Sequence, residues 1–171
     1  LGANAFSGGI NIITKQKSES KSVNLSLSGG DYGYYDMSMS SYYKPFKNFS
    51  TYYSIYRQKS DGYMANTDTD LLNAYGVNTL TTNAGEFSLQ LGANKREFGA
   101  NSFYTAAYPN QFEATTSAFT SLCYKFTNLS YSISSQAYYK YHFDRFELFR
   151  ASKDAPAWYA GHNYHQTDIV G

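Results

Sequence analysis

Long segments in which polar and apolar side chains alternate constrain the fold of this chain most strongly. In residues 129–143, the odd positions are apolar or aromatic except at Ser135, and the even positions are polar except at Tyr138. Side chains of a β-strand point alternately to its two faces, so this period predicts a strand with one apolar face. Alternation or spacing predicts further strands at 22–28, 35–44, 49–57, 70–80, 86–94 and 113–124, and the start of an eighth near His165.

The predicted strands are long for a globular protein. They run for about nine to fifteen residues, whereas a globular strand has about five or six and a tilted membrane-crossing strand about 9–11. Their polar faces are rich in Ser, Asn and Gln rather than Lys and Glu, and aromatic residues concentrate near strand ends. Both features are typical of a barrel with a hydrated lumen and aromatic girdles. The sequence predicts an all-β fold in which about seven to eight strands form part of a larger antiparallel transmembrane β-barrel.

Alternation also predicts which face each side chain occupies. We expect Leu89, Ile133 and Tyr139 to face lipid. We expect Ser88, Ser132 and Lys140 to face the lumen. A register error of one residue would invert all six assignments together, because the side-chain period of a strand is two.

The predicted connections alternate in length. Short turns at 44–48, 81–85 and 125–128 separate longer stretches at 58–69, 95–112 and 144–161, and only the first connection, 28–33, breaks the rhythm. Short periplasmic turns and longer extracellular loops are typical of outer-membrane barrels. A secreted β-sandwich or solenoid also alternates and has turns rich in Gly and Asn, so it stays an alternative on this pattern alone. No internal repeat of 20–50 residues supports a solenoid.

Composition narrows the classes of function. The formal net charge is +1 and basic residues are scattered, which gives no basic stripe for nucleic acid. The single cysteine, Cys123, excludes a disulfide within the chain and is expected to pack as a small apolar residue. The chain contains no run of 18 apolar residues, so no transmembrane helix is predicted. No signal peptide is recognisable either. We expect both ends, Leu1 and Gly171, to be cuts in a longer protein.

The histidines do not predict an enzyme. The chain has three, His142, His162 and His165, and the last two form a three-residue spacing with Asp168. Residues three apart on a strand point to opposite faces, so a shared metal would need a loop. Structural or lumen-facing histidines are the expectation, and no catalytic residue is assigned.

Residues 2–15 read Gly-Ala-Asn-Ala-Phe-Ser-Gly-Gly-Ile-Asn-Ile-Ile-Thr-Lys. Gly8 and Gly9 allow close backbone approach, and the isoleucines that follow predict a short buried strand. This segment resembles the end of the plug domain in TonB-dependent outer-membrane receptors, which precedes the first barrel strand. The resemblance implies that 1–15 is the C-terminal end of a plug and that 16–171 holds the first strands of an incomplete barrel. The whole barrel would have about 22 strands, and the TonB-binding segment of the plug would lie outside this chain.

Two predicted loops also resemble that family. Residues 60–63 and 66–70 are similar to the second extracellular loop of vitamin B12 transporters, and residues 98–104 with 108–109 to the third loop of a cobalamin-receptor-like branch. The resemblance implies TonB-dependent active uptake of a scarce, bulky nutrient, favouring a cobalamin-like corrinoid. It places the protein in the bacterial outer membrane, with TonB, membrane lipid and an extracellular small molecule as partners and no required cofactor. A ferric-siderophore or heme receptor of the same family, and a passive porin or adhesive barrel, are the alternatives.

Two sets of loop residues are candidate sites. Phe103, Tyr104 and Tyr108 could stack on a flat ligand, or could simply pack their loop against its neighbours. Asp61, Asp68 and Asp70 fall within ten residues and would repel one another unless neutralised. Calcium accepts carboxylates in flexible arrangements, and the family's vitamin B12 transporters bind calcium in the corresponding loop. A structural calcium ion is therefore a prediction, with an ordinary solvated acidic loop as the alternative.

Overall fold

The computed structural model describes residues 21–171 and shows one antiparallel sheet of eight strands, each paired with the next along the chain. The sheet is open, because β1 and β8 each pair with a single neighbour. The predicted all-β antiparallel fold is confirmed, and the plug-like segment at 1–15 lies outside the described residues. The strands are β1 (Ser22–Gly29), β2 (Tyr35–Phe46), β3 (Phe49–Ser60), β4 (Thr69–Thr82), β5 (Gly85–Gly99), β6 (Phe112–Thr127), β7 (Ser132–Glu147) and β8 (Asn163–Val170).

Several strands are longer than alternation predicts. The irregular segments at 70–80 and 113–124 extend to 14 and 16 residues as β4 and β6. β7 starts at Ser132 instead of 129, because the Asn128 side-chain oxygen accepts the backbone N–H groups of Ser130 and Tyr131 at 2.8 and 2.9 Å. This local turn removes those residues from the ladder. Within residues 21–171, no helix is long and apolar enough to cross a membrane.

The connections lie at two opposite edges of the sheet. Residues 47–48, 83–84 and 128–131 form one edge, the short-turn rim. Residues 30–34, 61–68, 100–111 and 148–162 form the other, the loop rim, where a single 3-10 turn covers Arg150–Ser152. The first connection, which breaks the predicted rhythm, therefore lies among the long loops.

The register aligns side chains of one kind across the strands. Leu89 of β5 is paired with Leu122 of β6, and Leu122 with Ala137 of β7. Because residues two apart share a face, Leu89, Ile133 and Tyr139 lie together on one side, the apolar face. Ser88, Ser132 and Lys140 lie on the other side, the polar face. The predicted grouping of these six residues is confirmed.

Exposure is reversed relative to a soluble protein. On β6, Leu122 on the apolar face is 52% exposed, whereas its neighbour Ser121 on the polar face is 4% exposed. Val23, Leu25 and Leu27 of β1 are each more than 60% exposed. Large exposed apolar patches mark surfaces that another apolar medium or partner covers.

The apolar face forms a band with defined limits. On β4 it runs from Leu80 to Leu72, about 27 Å along the strand at about 3.4 Å per residue. Toward the loop rim the same face becomes charged, with the ion pairs Arg57–Asp70 at 2.6 Å and Lys95–Glu97 at 2.9 Å. Aromatic rings lie at the short-turn rim, where Phe87 contacts Tyr124 and Phe126 contacts Tyr131.

Candidate functional site

The loop rim brings together three segments that are distant in sequence, and Asn66 joins two of them. Its amide nitrogen donates hydrogen bonds to the carbonyl oxygens of Pro109 and Gln111 at 2.9 and 2.6 Å. The backbone carbonyl oxygen of Asn66 accepts a hydrogen bond from the Asn101 backbone N–H at 3.0 Å. Asn66 has a φ of 57°, a left-handed conformation that asparagine adopts more readily than most residues. Loop 61–68 is thereby fixed to loop 100–111.

Arg150 adds the third loop. Its guanidinium donates to both carboxylate oxygens of Asp68, at 2.5 and 2.9 Å, and to the Asn66 side-chain oxygen at 3.2 Å. Its backbone N–H donates to Asn110, and its guanidinium carbon lies 4.4 Å from the centre of the Phe112 ring. A bidentate arginine–carboxylate pair fixes orientation as well as distance. Arg150 is thus the residue through which all three loops are connected.

We call the contacts of Arg150 with Asp68 and Asn66 the clamp. Its electrostatics favour the charged forms of both Arg150 and Asp68. The hydrogen bonds from Arg150 hold the pKa of Asp68 below its ordinary value, although partial burial opposes that shift. The same hydrogen bonds raise the pKa of Arg150. Both side chains are more than one third exposed, so solvent screens the pair and limits its contribution to stability.

Close backbone approach underlies the clamp. A Cβ atom on Gly99 would lie 2.6 Å from the Asn66 backbone, so only glycine allows this contact. Beside it, the Ala100 N–H donates to the Gln111 carbonyl oxygen at 2.8 Å. Gln111 is fully buried, and its side-chain nitrogen has no hydrogen-bond partner among the described residues.

The three predicted ligand-binding aromatics are placed in two different groups. Phe103 is 72% exposed and contacts Tyr104, whose ring also packs edge-on against Phe146 of the polar face. The Tyr104 hydroxyl donates to Glu113, and partial burial together with this bond raises the pKa of Tyr104 to about 12. These contacts place Tyr104 of loop 100–111 against the polar face and leave the Phe103 ring exposed to solvent.

Tyr108 belongs to a separate aromatic cluster. Its ring packs edge-on against Phe149, which also contacts Trp158 and Tyr159 of the last loop. Trp158 remains 63% exposed. Tyr104 and Tyr108 thus make packing contacts, and Phe103, Trp158 and Tyr63 are the most exposed rings of the loop rim. Ligand binding by Phe103, Tyr104 and Tyr108 stays a prediction.

The three predicted calcium ligands, Asp61, Asp68 and Asp70, each contact a different residue. Asp68 pairs with Arg150, and Asp70 pairs with Arg57 on the apolar face. The Asp61 carboxylate lies against Gly33 in the first turn of the loop rim. Within residues 21–171, no group of three acidic, histidine or cysteine side chains is arranged to hold a metal ion. The calcium site stays a prediction, and arginines neutralise two of its three carboxylates.

The histidines also have separate partners. His142 contacts the Ser117 hydroxyl at 2.7 Å on the polar face. His165 lies 3.5 Å from Asp144, whereas His162 contacts the Tyr159 hydroxyl at 3.0 Å. The register places His165 opposite Asp144 and Asp168 opposite Tyr141, on the two different faces expected for residues three apart.

No sequence pattern marks Arg150, Asn66 or Gln111 as site residues. Arg150 is 82 residues from Asp68, so no spacing indicates their contact. The segment 98–101 gives a weak signal for a close contact at this position, because Gly99 follows an alternating strand and a glycine there permits another backbone to approach closely. No protein-family model, curated protein or solved structure matches this chain significantly.

Proposed function

We propose that this chain is the first part of an outer-membrane β-barrel that carries out TonB-dependent active uptake of a scarce, bulky nutrient. The observation that carries the proposal is the reversed burial of the sheet, with Leu122 at 52% exposure beside Ser121 at 4%. A bilayer is a medium in which such a face is stable, because lipid covers the apolar side chains and the ladder satisfies the backbone.

The loop rim supports capture of an extracellular ligand. Its loops are joined by Arg150 and Asn66, and they present the exposed rings of Phe103 and Trp158. Aromatic rings on a pre-organised surface bind flat or amphipathic ligands with little entropic cost. A cobalamin-like corrinoid is the favoured ligand because of the loop resemblance at 60–70 and 98–109, and ferric siderophores or heme follow.

The class is tested in cells that carry the intact protein. Uptake of radiolabelled cyanocobalamin is compared in wild-type cells, in cells lacking this protein and in cells lacking TonB. Uptake that requires both proteins supports the proposal. Equal diffusion of small solutes with and without TonB would indicate a passive porin, and recovery of the protein in the soluble fraction would overturn the membrane assignment.

The ligand is tested separately on the purified protein. Titration with cyanocobalamin, a ferric siderophore and heme should give saturable binding for one of them. Phe103→Ala should weaken that binding at least tenfold, whereas Tyr63→Ala, which removes another exposed ring of the loop rim, is the matched control. Equal effects of the two substitutions would show that Phe103 has no special role.

A further inference from the structure

A groove crosses the apolar face between β2 and β5. Its walls are formed by Met39, Tyr53, Ile55 and Leu91, and its floor by Ala74 and Ala93. The volume is about 460 Å³. The small residues Ala74 and Gly76 of β4 and Ala93 of β5 lie beside these large side chains and create a depression in the apolar band.

Cations lie at the loop-rim end of this groove. Arg57 follows Ile55 by two residues on β3, and Lys95 follows Ala93 by two residues on β5, so both lie on the apolar face about 7 Å beyond the groove. Lys59 lies two residues further on the same face of β3 and is exposed. β3 and β5 flank β4, which separates Arg57 and Lys95 by about 10 Å. Two long basic side chains can therefore reach one group between them.

Acidic side chains in the same region leave a positive balance. Asp70 pairs with Arg57 at 2.6 Å and Glu97 pairs with Lys95 at 2.9 Å. Lys59 also acts on Asp68, which is paired with Arg150. Four cations and three anions therefore give a local charge of +1, and Lys59 itself has no ion pair within 4.0 Å among the described residues. Lys95 is 57% exposed, so it can turn toward a new partner at small cost.

We propose that the groove and these three cations form a binding site for one phosphorylated lipid of the surrounding leaflet. An acyl chain occupies the groove, and the phosphate lies between Arg57, Lys59 and Lys95. The inference rests on the proposed function, because it requires the apolar face to contact a bilayer. Charge complementarity selects the occupant. The groove accepts any alkyl chain, but the cations at its end favour a headgroup with net negative phosphate charge over a zwitterionic headgroup, whose phosphate is balanced by its own ammonium group.

The experiment uses the intact protein purified in a non-ionic detergent and native mass spectrometry. Diphosphorylated lipid A is compared with phosphatidylcholine. We expect lipid A to remain bound and phosphatidylcholine to dissociate. Substituting Arg57→Gln, Lys59→Gln and Lys95→Gln together should weaken lipid A binding at least tenfold. The control variant Lys21→Gln, Lys44→Gln, Lys47→Gln removes the same charge near the short-turn rim and should bind normally.

The groove is tested independently of the charges. Ala93→Leu fills its floor and should weaken lipid A binding, whereas Ala118→Leu, beside it on β6 and outside the groove, should not. Retention of lipid A by both the glutamine and the Ala93→Leu variants would overturn the site. Complete displacement by inorganic phosphate would overturn the role of the groove. The uptake assay in cells lacking TonB and membrane fractionation of each variant keep these results apart from the proposed function. A variant that stays in the membrane fraction and supports TonB-dependent uptake but no longer binds lipid A has lost the lipid site alone, whereas a wild-type protein outside the membrane fraction would contradict the membrane assignment.

Discussion

The strand body and the loop rim of this protein bury opposite kinds of side chain. In the strands, Leu122 is exposed and Ser121 is buried. At the loop rim, the apolar residues Ala100 and Phe112 are 3% and 5% exposed, and an ion pair and aromatic contacts join the loops. The strands thus expose apolar side chains and bury polar ones, as the proposed membrane location requires, whereas the loops bury apolar side chains as a water-soluble domain does.

Different properties of a residue therefore determine its surroundings in the two regions. In the strand body, a residue's face determines its surroundings, so neighbours in sequence have opposite roles. At the loop rim, position relative to a face matters less than contact with a partner in another loop. The two regions should therefore respond differently to the same type of substitution.

The largest effect should come from a charge placed in the middle of the apolar band. Leu91→Arg should cost about 2–4 kcal/mol of folding free energy in a bilayer, because this residue lies far from both rims. Gln90→Arg, the next residue on the polar face, should cost much less. Denaturant titration of the intact protein in lipid vesicles measures both. The reverse order would show that the faces are misassigned.

A smaller effect should appear at the loop rim. The coupling between Arg150 and Asp68 should be about 1 kcal/mol, because both side chains are partly exposed. A double-mutant cycle with Arg150→Met and Asp68→Asn measures it, with proteolysis of loop 61–68 as the readout. Additive effects would mean that the clamp does not connect the loops. The barrel-forming strands should resist protease in all four proteins.

Ile133 gives a sharper test of the band's limits. Ile133 is the second residue of β7 and pairs with Phe126, close to the short-turn rim. Ile133→Arg should therefore cost about 0–1 kcal/mol, well below the cost of Leu91→Arg. Ser132→Arg serves as the control on the polar face. A cost for Ile133→Arg equal to that for Leu91→Arg would show that the band extends further than the register indicates.

The smallest expected effect is a dependence on acid. The folded-state pKa of Asp68 is lowered, so its carboxylate stabilises the clamp above the ordinary carboxyl pKa, about 3.9. That contribution is lost as the pH falls through the lower, folded-state pKa. The protection factor of the loop 61–68 amides, which is the intrinsic exchange rate at each pH divided by the observed rate, should fall in that range and stay constant between pH 5 and 7. Asp68→Asn should abolish the dependence.

Much of the strand body could be predicted from alternation alone. The period of two assigned Leu89, Ile133 and Tyr139 to one face, because side-chain direction in a strand is a local property. The start of β7 could not be predicted in this way, since it depends on a turn formed by the Asn128 side chain. The position of Ile133 near a rim also required the pairing register.

The candidate site was predictable only in part. The sequence indicated that acidic and aromatic residues gather in the loops at 58–69 and 95–112, because composition is visible without a fold. The partners of these residues depend on the folded arrangement of the loops. Asp68 pairs with Arg150 and does not share a site with Asp61 and Asp70, and Tyr104 packs on Phe146 while Phe103 stays exposed. The physical reason is that strand alternation repeats every two residues, whereas loop contacts join residues more than eighty positions apart, which only the sheet brings together at one rim.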